Sequence, residues 1–512
     1  MLKLTQPLMT ALRKRPAPFA TGMWFVAYAA ATITGQSFST AYLDFGWQSV
    51  PWTVLRDDPL GSVWNLHIQP PLWNLSLGLI GKLSPFDDAV SLRVFILLIG
   101  LALVWVLALV IRDMGVPPGW AVLLTLGLTL NPDLLHHAFV PTYELAAALL
   151  LTLCVRAAQL AVGQRRGRHF VWLSVALTAL VLTRSLYHPV VIVFVLVAFG
   201  WHLRRTLNRR SVIAAAVIPV LLVGGWMVKN QLMFGTATTS SWFGMNLHRS
   251  TIPILPRDEA ITMYNDGDIS AGALIGAFAP YDEYAEVSPP CEPEHSHPVL
   301  TIKGHVDANG EFISNFNYEC YLPIYEQAGK DFWAVATAHP DIWWKGRVFS
   351  LRLTFATSTL PSTSGSPLIR LLDHAYRLPR LDLPAEVSTI GWGDPMYGEY
   401  RLPFRFSLAV AITYGLLAMY ACALITQRLR RRPLPLQATA GFAATVVLAA
   451  FLGAFTIVVG AIGELGEQSR FRSMTDPICL STGLVVGVRL LRSWLCASPD
   501  DNTARAEEST SL

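Results

Sequence analysis

Residues 90–111 read VSLRVFILLIGLALVWVLALVI, an apolar run carrying one charge, Arg93. A membrane span needs roughly 20 mostly apolar residues to cross about 30 Å of hydrocarbon, so this run suffices alone. By the same rule about ten runs stand in the chain: 22 to 42, 90 to 111, 119 to 136, 141 to 162, 170 to 185, 188 to 203, 211 to 230, 406 to 427, 435 to 461 and 477 to 495. The fifth and sixth are short and predict one tight hairpin, with Thr183, Arg184, Ser185 and His188 at its tip. Composition agrees. Of 512 residues 53% are hydrophobic and 14% charged, with a mean hydropathy of +0.42, whereas soluble domains hold about 25% charged residues. The expectation is an all-α polytopic membrane protein with a small mixed extracytoplasmic domain.

The first run predicts a retained helix, because Gln36, Ser37 and Ser39 interrupt its end and no clean cleavage site follows. The net charge of +4 predicts no nucleic-acid partner, since the arginines sit in short clusters between runs. Lys3, Arg13, Lys14 and Arg15 precede run one, and Arg165, Arg166 and Arg168 follow run four. Arg204, Arg205, Arg209 and Arg210 follow run six, and Arg428, Arg430, Arg431 and Arg432 follow run eight. If all ten runs span, every cluster falls on one side, the positive-inside pattern. Both termini are then cytoplasmic.

Four regions follow: an N-terminal transmembrane module, 1–230, containing a first outer loop at 43–89; an extracytoplasmic domain, 231–404; C-terminal transmembrane helices, 405–497; and a polar cytoplasmic tail, 498–512. The 231–404 segment is rich in Pro, Gly, Tyr and Trp, with turn signals at Pro289-Pro290 and Asn309-Gly310. Residues 320 to 337 read as helix and 360 to 368 as loop. Cys291 and Cys320 are the only cysteines in this segment, and an oxidising compartment would let them pair. No internal repeat is present.

Ionisable groups at a membrane boundary are costly, which makes their positions informative. Asp44 lies past the outer end of run one, Glu144 at the outer start of run four, Arg184 and His188 at the hairpin tip, and Lys229 with Asn230 at the outer end of run seven. Glu464, Glu467, Arg470, Arg472 and Asp476 follow run nine. Carboxylates and cations at one depth suit a substrate with a negative group and a proton to remove. Each has an ordinary alternative. Arg184 and Lys229 can snorkel to headgroups, Glu144 can stabilise a helix start, and Asp44 can be a loop residue. Among the tryptophans, Trp242, Trp333, Trp343, Trp344 and Trp392 fit the membrane interface better than a sugar face. Ser240 to Asn246 fits a turn better than a wall of the donor site.

Leu43-Asp44-Phe45 is followed by His67-Ile68-Gln69-Pro70-Pro71-Leu72-Trp73. This arrangement resembles the membrane glycosyltransferases of the GT-C superfamily, in the protein mannosyltransferase and aminoarabinose transferase branch. There an acidic residue ends the first helix, a His-Pro-Pro-Leu-like element closes the first outer loop, and a second acid sits in the next. Asn131-Pro132 before Tyr143-Glu144 is similar to that second element, and Thr183-Arg184 to its basic counterpart. Glu467-Gln468-Ser469-Arg470-Phe471-Arg472, followed by Asp476-Pro477, is similar to a late outer motif of bacterial members. The chain departs from the pattern at Phe45, Gln69 and Glu144, where the family favours Glu, His and Asp. The resemblance therefore carries over no metal site, and a divalent cation, Mg or Mn, stays open as a cofactor.

The resemblance implies transfer of a sugar from a polyprenyl-phosphate donor to the hydroxyl of a glycan, lipid or protein acceptor, with membrane lipid as surroundings. A carboxylate within hydrogen-bond reach can accept the hydroxyl proton, a role expected of Asp44, with Glu144 the second catalytic acid. The phosphate leaves without needing a proton but needs cations, and Arg184, Lys229, Arg470 and Arg472 are the candidates. His67, Gln69, His188 and Glu467 are expected in support, His67 by packing. Asp57 and Asp58 are rival bases that read as a solvated turn before Pro59. Single displacement inverts the anomeric centre. The competing readings are a transporter or lipid flippase and a non-catalytic assembly scaffold. The implied location is a bacterial plasma membrane serving envelope or cell-wall biosynthesis.

Overall fold

The computed structural model describes residues 15–45, 50–307, 310–357, 365–387, 402–430, 439–465 and 468–495. Of 44–45, 385–387 and 402–404 it describes the backbone alone. All ten expected runs fall on helices, and six of these are long and apolar enough to cross a membrane: Asp88–Asp113, Glu144–Gln164, Arg209–Phe234, Leu408–Leu429, Ala440–Gly463 and Gln468–Leu495. Pro118–Thr129, Gly167–Thr183 and Val190–Leu203 are apolar but shorter. The first described helix is Pro16–Ile33, and it ends well before the expected boundary at 42. Among the described residues the chain is thus a helical, multi-pass membrane protein, with six helices of spanning length and three shorter apolar ones beside them.

Local chemistry sets the boundaries. Prolines occupy the first turn of Pro16–Ile33 and Pro118–Thr129, where the missing N–H costs nothing and φ is already helical. Asp87 accepts the Val90 N–H at 3.0 Å and opens the long Asp88–Asp113 helix. Pro118–Thr129 was expected to reach 136. It stops because the residue before a proline is pushed out of the helical region, and Asn131, preceding Pro132, has φ −54° and ψ 124°. In Arg209–Phe234, Pro219 cannot donate to the turn before it. A wider π turn, Val220–Gly224, follows it.

The largest departure is the last helix. Expected to begin at 477, it begins at Gln468 and carries Pro477 inside it. Its charged opening hides it from a hydropathy rule, yet Arg470, Arg472 and Asp476 stand on helix and not in a loop.

Glu144–Gln164 is the central post. It packs against Asp88–Asp113, Gly167–Thr183, Ala440–Gly463 and Gln468–Leu495, and 72% of its apolar window is buried, against 11% for the peripheral Arg209–Phe234. The loop expected at 43–89 folds, among its described residues, into Trp52–Asp57, Pro59–Trp64 and Pro71–Leu83. Asp58 accepts the Gly61 N–H at 3.0 Å and caps Pro59–Trp64.

The segment after 231 contains the helices Phe243–Arg249, Tyr321–Ala338, Pro340–Thr354 and Pro367–Arg380. Two antiparallel ribbons join them, Gly304–Val306 with Phe312–Ser314 and Asp382–Val387 with Leu402–Ser407. Gly310 turns the first ribbon at φ +85°, a conformation glycine adopts without strain. Phe243–Arg249 crosses Tyr321–Ala338 so closely at Gly244 that a Cβ there would strike the Tyr325 carbonyl. Trp242, Phe278, Phe316 and Tyr321 belong to the same continuous apolar core as the spans. Trp242 is therefore packed inside, whereas Trp333 and Trp344 are exposed. Trp392 and most of 360 to 368 lie outside the described residues. Cys291 and Cys320 form a disulfide, Cα to Cα 5.8 Å.

Candidate active site

Glu144 is the first residue of its helix, where the unpaired N–H groups favour a carboxylate, and it is fully buried. Arg470 Nε lies 2.5 Å and Arg184 Nη1 3.5 Å from its Oε1. His137 Nδ1 lies 3.6 Å from Oε2. Segments more than 300 residues apart thus converge on one carboxylate, since 470 − 144 = 326.

Arg470 also donates through Nη2 to the hydroxyls of Tyr143, at 3.0 Å, and Tyr42, at 3.1 Å. Tyr42 opens the short helix Tyr42–Phe45, so the helical turn that carries Asp44 abuts this guanidinium. The Asp44 side chain lies outside the described residues, as does Glu467.

Arg184 is held differently. Its guanidinium carbon is 4.2 Å from the Tyr143 ring and 4.5 Å from the Phe471 ring, a cation between two aromatic faces. It is 4% exposed, and its Nε has no hydrogen-bond partner among the described residues. Gly167–Thr183 ends immediately before it, with Arg184 extended at φ −143°.

Burial pushes the His137 imidazole down to about 3, against the opposing pull of Glu144. It is therefore neutral near pH 7, and its Nδ1 also meets Thr142 Oγ1 at 3.1 Å. The described cluster then holds two guanidinium charges against one carboxylate. Two guanidinium groups gathered in a buried pocket suit an anionic ligand.

The structure does not gather all the candidates. Lys229 is buried, but its Nζ donates to the Leu66 carbonyl at 2.8 Å and stands 3.8 Å from the Trp226 ring. It pins the first outer loop. His67 pins the same loop: its Nε2 meets the Asn317 carbonyl at 3.0 Å and its Nδ1 the Ser241 hydroxyl at 2.7 Å. The carbonyl requires the proton on Nε2, and burial lowers the ring to about 3. His67 is thus a neutral structural bridge. Gln69 Oε1 accepts from Ser185 Oγ at 3.3 Å, which ties the loop to the turn beside Arg184. Among the described residues the His188 side chain accepts just the Val190 N–H, at 3.3 Å.

Arg472 was expected beside Arg470. Residues two apart on a helix do not share a face, and Arg472 points into a different node. It donates to the carbonyls of Thr354, at 2.7 Å, and Ala356, at 3.2 Å, and to Asp476 Oδ2 at 2.7 Å. All three of its nitrogens are engaged by protein, so it locks the end of Pro340–Thr354 to Gln468–Leu495.

A second buried charge node surrounds Arg380. Its Nη1 is 3.3 Å from Asp133, and its Nη2 is 3.4 Å from Asp373 and 3.1 Å from Asp382. Burial outweighs Arg380 and raises the Asp133 carboxyl to about 6. Asp133 Oδ1 has no hydrogen-bond partner among the described residues.

Sequence reasoning missed Tyr42, Tyr143, His137, Phe471 and Asp133. The available signal was adjacency, because Tyr143-Glu144 and Arg470-Phe471 each place an aromatic ring beside a charge. Among the described residues no three His, Cys, Asp or Glu side chains converge as a metal site.

No protein-family model and no curated protein matches the chain. Among solved structures it is similar to ArnT from Cupriavidus metallidurans in the apo state, at 15% identity and a TM-score of 0.31. It is also similar to ArnT from the same organism bound to undecaprenyl phosphate, at 14% identity and a TM-score of 0.28. Each match covers 91% of this chain and 77% of the other.

Proposed function

We propose that this chain is a membrane glycosyltransferase that moves a sugar from a polyprenyl-phosphate donor to an acceptor hydroxyl at the outer ends of its helices. One observation carries the reading: Glu144 holds Arg184 and Arg470 together in a buried pocket beside the helical turn that bears Asp44. The motif resemblance around Asp44, His67 to Trp73 and Arg470 points the same way.

The acceptor oxygen attacks the anomeric carbon as its proton passes to Asp44, and the bond from that carbon to the phosphate oxygen breaks with its electron pair. Polyprenyl phosphate departs, and the anomeric centre inverts. A carboxylate base contributes typically about 10² to 10⁴ in rate. The leaving phosphate gains charge, which Arg184 and Arg470 stabilise. A planar guanidinium can hold two phosphate oxygens, and the unsatisfied Nε of Arg184 is a donor available for one.

Glu144 acts here by position. A carboxylate paired with two guanidinium groups is a weak proton acceptor, so it orients the cations while Asp44 takes the proton. Lys229 and Arg472 are assigned to the scaffold, and the phosphate rests on Arg184 and Arg470. The transporter reading has less support. The interrupted Arg209–Phe234 helix is mostly exposed at the bundle edge, whereas transporters place broken helices around a central site.

The arginine clusters orient the chain with cytoplasmic termini in a plasma membrane and the pocket outside, serving envelope glycosylation. The test is a reconstituted assay with a polyprenyl-phosphate sugar. Product with inverted configuration, lost in Asp44→Asn, supports the reading. Retained configuration, or full activity in Asp44→Asn, overturns it.

A further inference from the structure

At the end of the bundle opposite Glu144, four helices leave a groove of about 230 Å³. Glu144–Gln164 runs from the pocket to this groove, so the two lie about 27 Å apart at 1.5 Å per residue, with Val162 on the groove wall. Ala198 and Phe199 contribute from Val190–Leu203, Leu424 from Leu408–Leu429, and Ala444 from Ala440–Gly463. Alanine gives the groove its depth. The helices meet beside it at Gly163 and Gly441, where a Cβ on Gly163 would contact the Gly441 Cα at 3.9 Å.

The rim is cationic. His202 and Arg428 line the mouth, and Arg165 is within electrostatic range of His202, as Arg428 is. No carboxylate among the described residues lines the groove, and Asp113 is already paired with Arg112 and Arg156. The side chains of Arg165, His202 and Arg428 have no hydrogen-bond or ion-pair partner among the described residues, in contrast to the engaged Arg470 and Arg472. The mouth also opens sideways to lipid, since Ile425 and Leu429 are 44% and 78% exposed.

We infer that this groove binds one anionic phospholipid of the surrounding leaflet, with a stretch of acyl chain between the helices and its phosphate against Arg428, Arg165 and His202. The groove is too narrow for a whole lipid, so the second chain stays in the bilayer. Basic pockets between spans recognise anionic headgroups in this manner. The site is separate from the sugar-transfer pocket and does not depend on it.

Native mass spectrometry of the full chain, reconstituted with phosphatidylglycerol or phosphatidylcholine, tests the inference. The wild type should retain one phosphatidylglycerol at least about tenfold better than phosphatidylcholine. The double variant Arg165→Gln, Arg428→Gln should lose that preference. Ala198→Trp, on an exposed position, should block retention of either lipid while leaving the charges in place, and Arg470→Gln should change nothing. Equal retention of the two lipids by the wild type, or undiminished preference in the double variant, overturns the proposal. A protein that retains a lipid equally well with Ala198→Trp also overturns it.

Discussion

Arg470 and Arg184 approach the same oxygen of Glu144, one at 2.5 Å and the other at 3.5 Å. The two cations would repel each other without the carboxylate between them. Their placement makes Glu144 the organiser of the pocket, and it ties the last long helix to the hairpin after Gly167–Thr183. Stability and charge placement therefore share one residue.

Glu144→Gln should damage both. Removing one partner from a buried ion pair leaves uncompensated charge and costs about 3 to 5 kcal/mol, here with two guanidinium groups released. The melting temperature should fall, and the Michaelis constant for the lipid-phosphate donor should rise. A variant as stable as the wild type would show that the Glu144 contacts contribute nothing net.

Arg184 and Arg472 should respond differently to the same conservative change. Arg184→Lys loses the planar fork and the stacking on Tyr143 and Phe471, worth about 2 kcal/mol when desolvated, so donor binding should weaken by roughly tenfold or more. Arg472→Lys loses carbonyl contacts at Thr354 and Ala356 that hold the outer segment. Its effect should appear in thermal melting, with the donor Michaelis constant unchanged in the protein that remains folded. Equal donor effects in both variants would return Arg472 to the phosphate site.

Much of this architecture was legible because lipid imposes a simple length rule on apolar runs, and residues 90–111 obey it plainly. The rule fails where charge enters a helix. Gln468–Leu495 begins with Arg470, Arg472 and Asp476, the first paired with Glu144 and the other two with each other one turn apart, which hydropathy cannot register, so the sequence boundary fell nine residues late, 477 − 468 = 9. The same late boundary hid the face rule that separates Arg470 from Arg472. Glu144 and Arg184 were legible as costly ions at one depth. Tyr42, Tyr143 and Phe471 were not, because aromatic residues near a membrane boundary have a commoner explanation in the interface. The Cys291 to Cys320 bridge was legible by elimination within its segment. The turn at Asn131-Pro132 announces the early end of Pro118–Thr129, but the apolar residues beyond it concealed that signal.

Acid should weaken the fold through its buried histidines. His67 and His137 are held neutral with folded values near 3, while an unfolded histidine titrates at about 6.5. Between those values the unfolded chain binds more protons, so stability rises with pH there and is flat above about 6.5. Lowering the pH from about 6.5 towards 5 should cost up to roughly 1.4 kcal/mol per unit per histidine. His67→Asn should reduce this slope in pH-dependent melting, at the expense of some stability at neutral pH. A slope unchanged in His67→Asn would mean that the ring is charged in the folded protein.

Asp133 has the opposite sign and offers the sharpest check on the base assignment. Its folded carboxyl is raised to about 6 because burial outweighs Arg380, whereas its unfolded value is about 3.9. The folded chain therefore holds the extra proton between these values, and the stability this provides is present below about 3.9 and lost as pH rises through about 6. A buried carboxyl near neutral pH in the second outer loop is also a chemical rival to Asp44 as proton acceptor. Asp133→Asn should lessen the stability loss between about pH 4 and pH 6 and leave turnover within about threefold, while Asp44→Asn lowers turnover by about 10² or more. The discriminating measurement is the pH dependence of turnover in both variants. If Asp133→Asn abolishes turnover and Asp44→Asn does not, the proton goes to the carboxyl beside Arg380, and the pocket around Glu144 binds phosphate without housing the base.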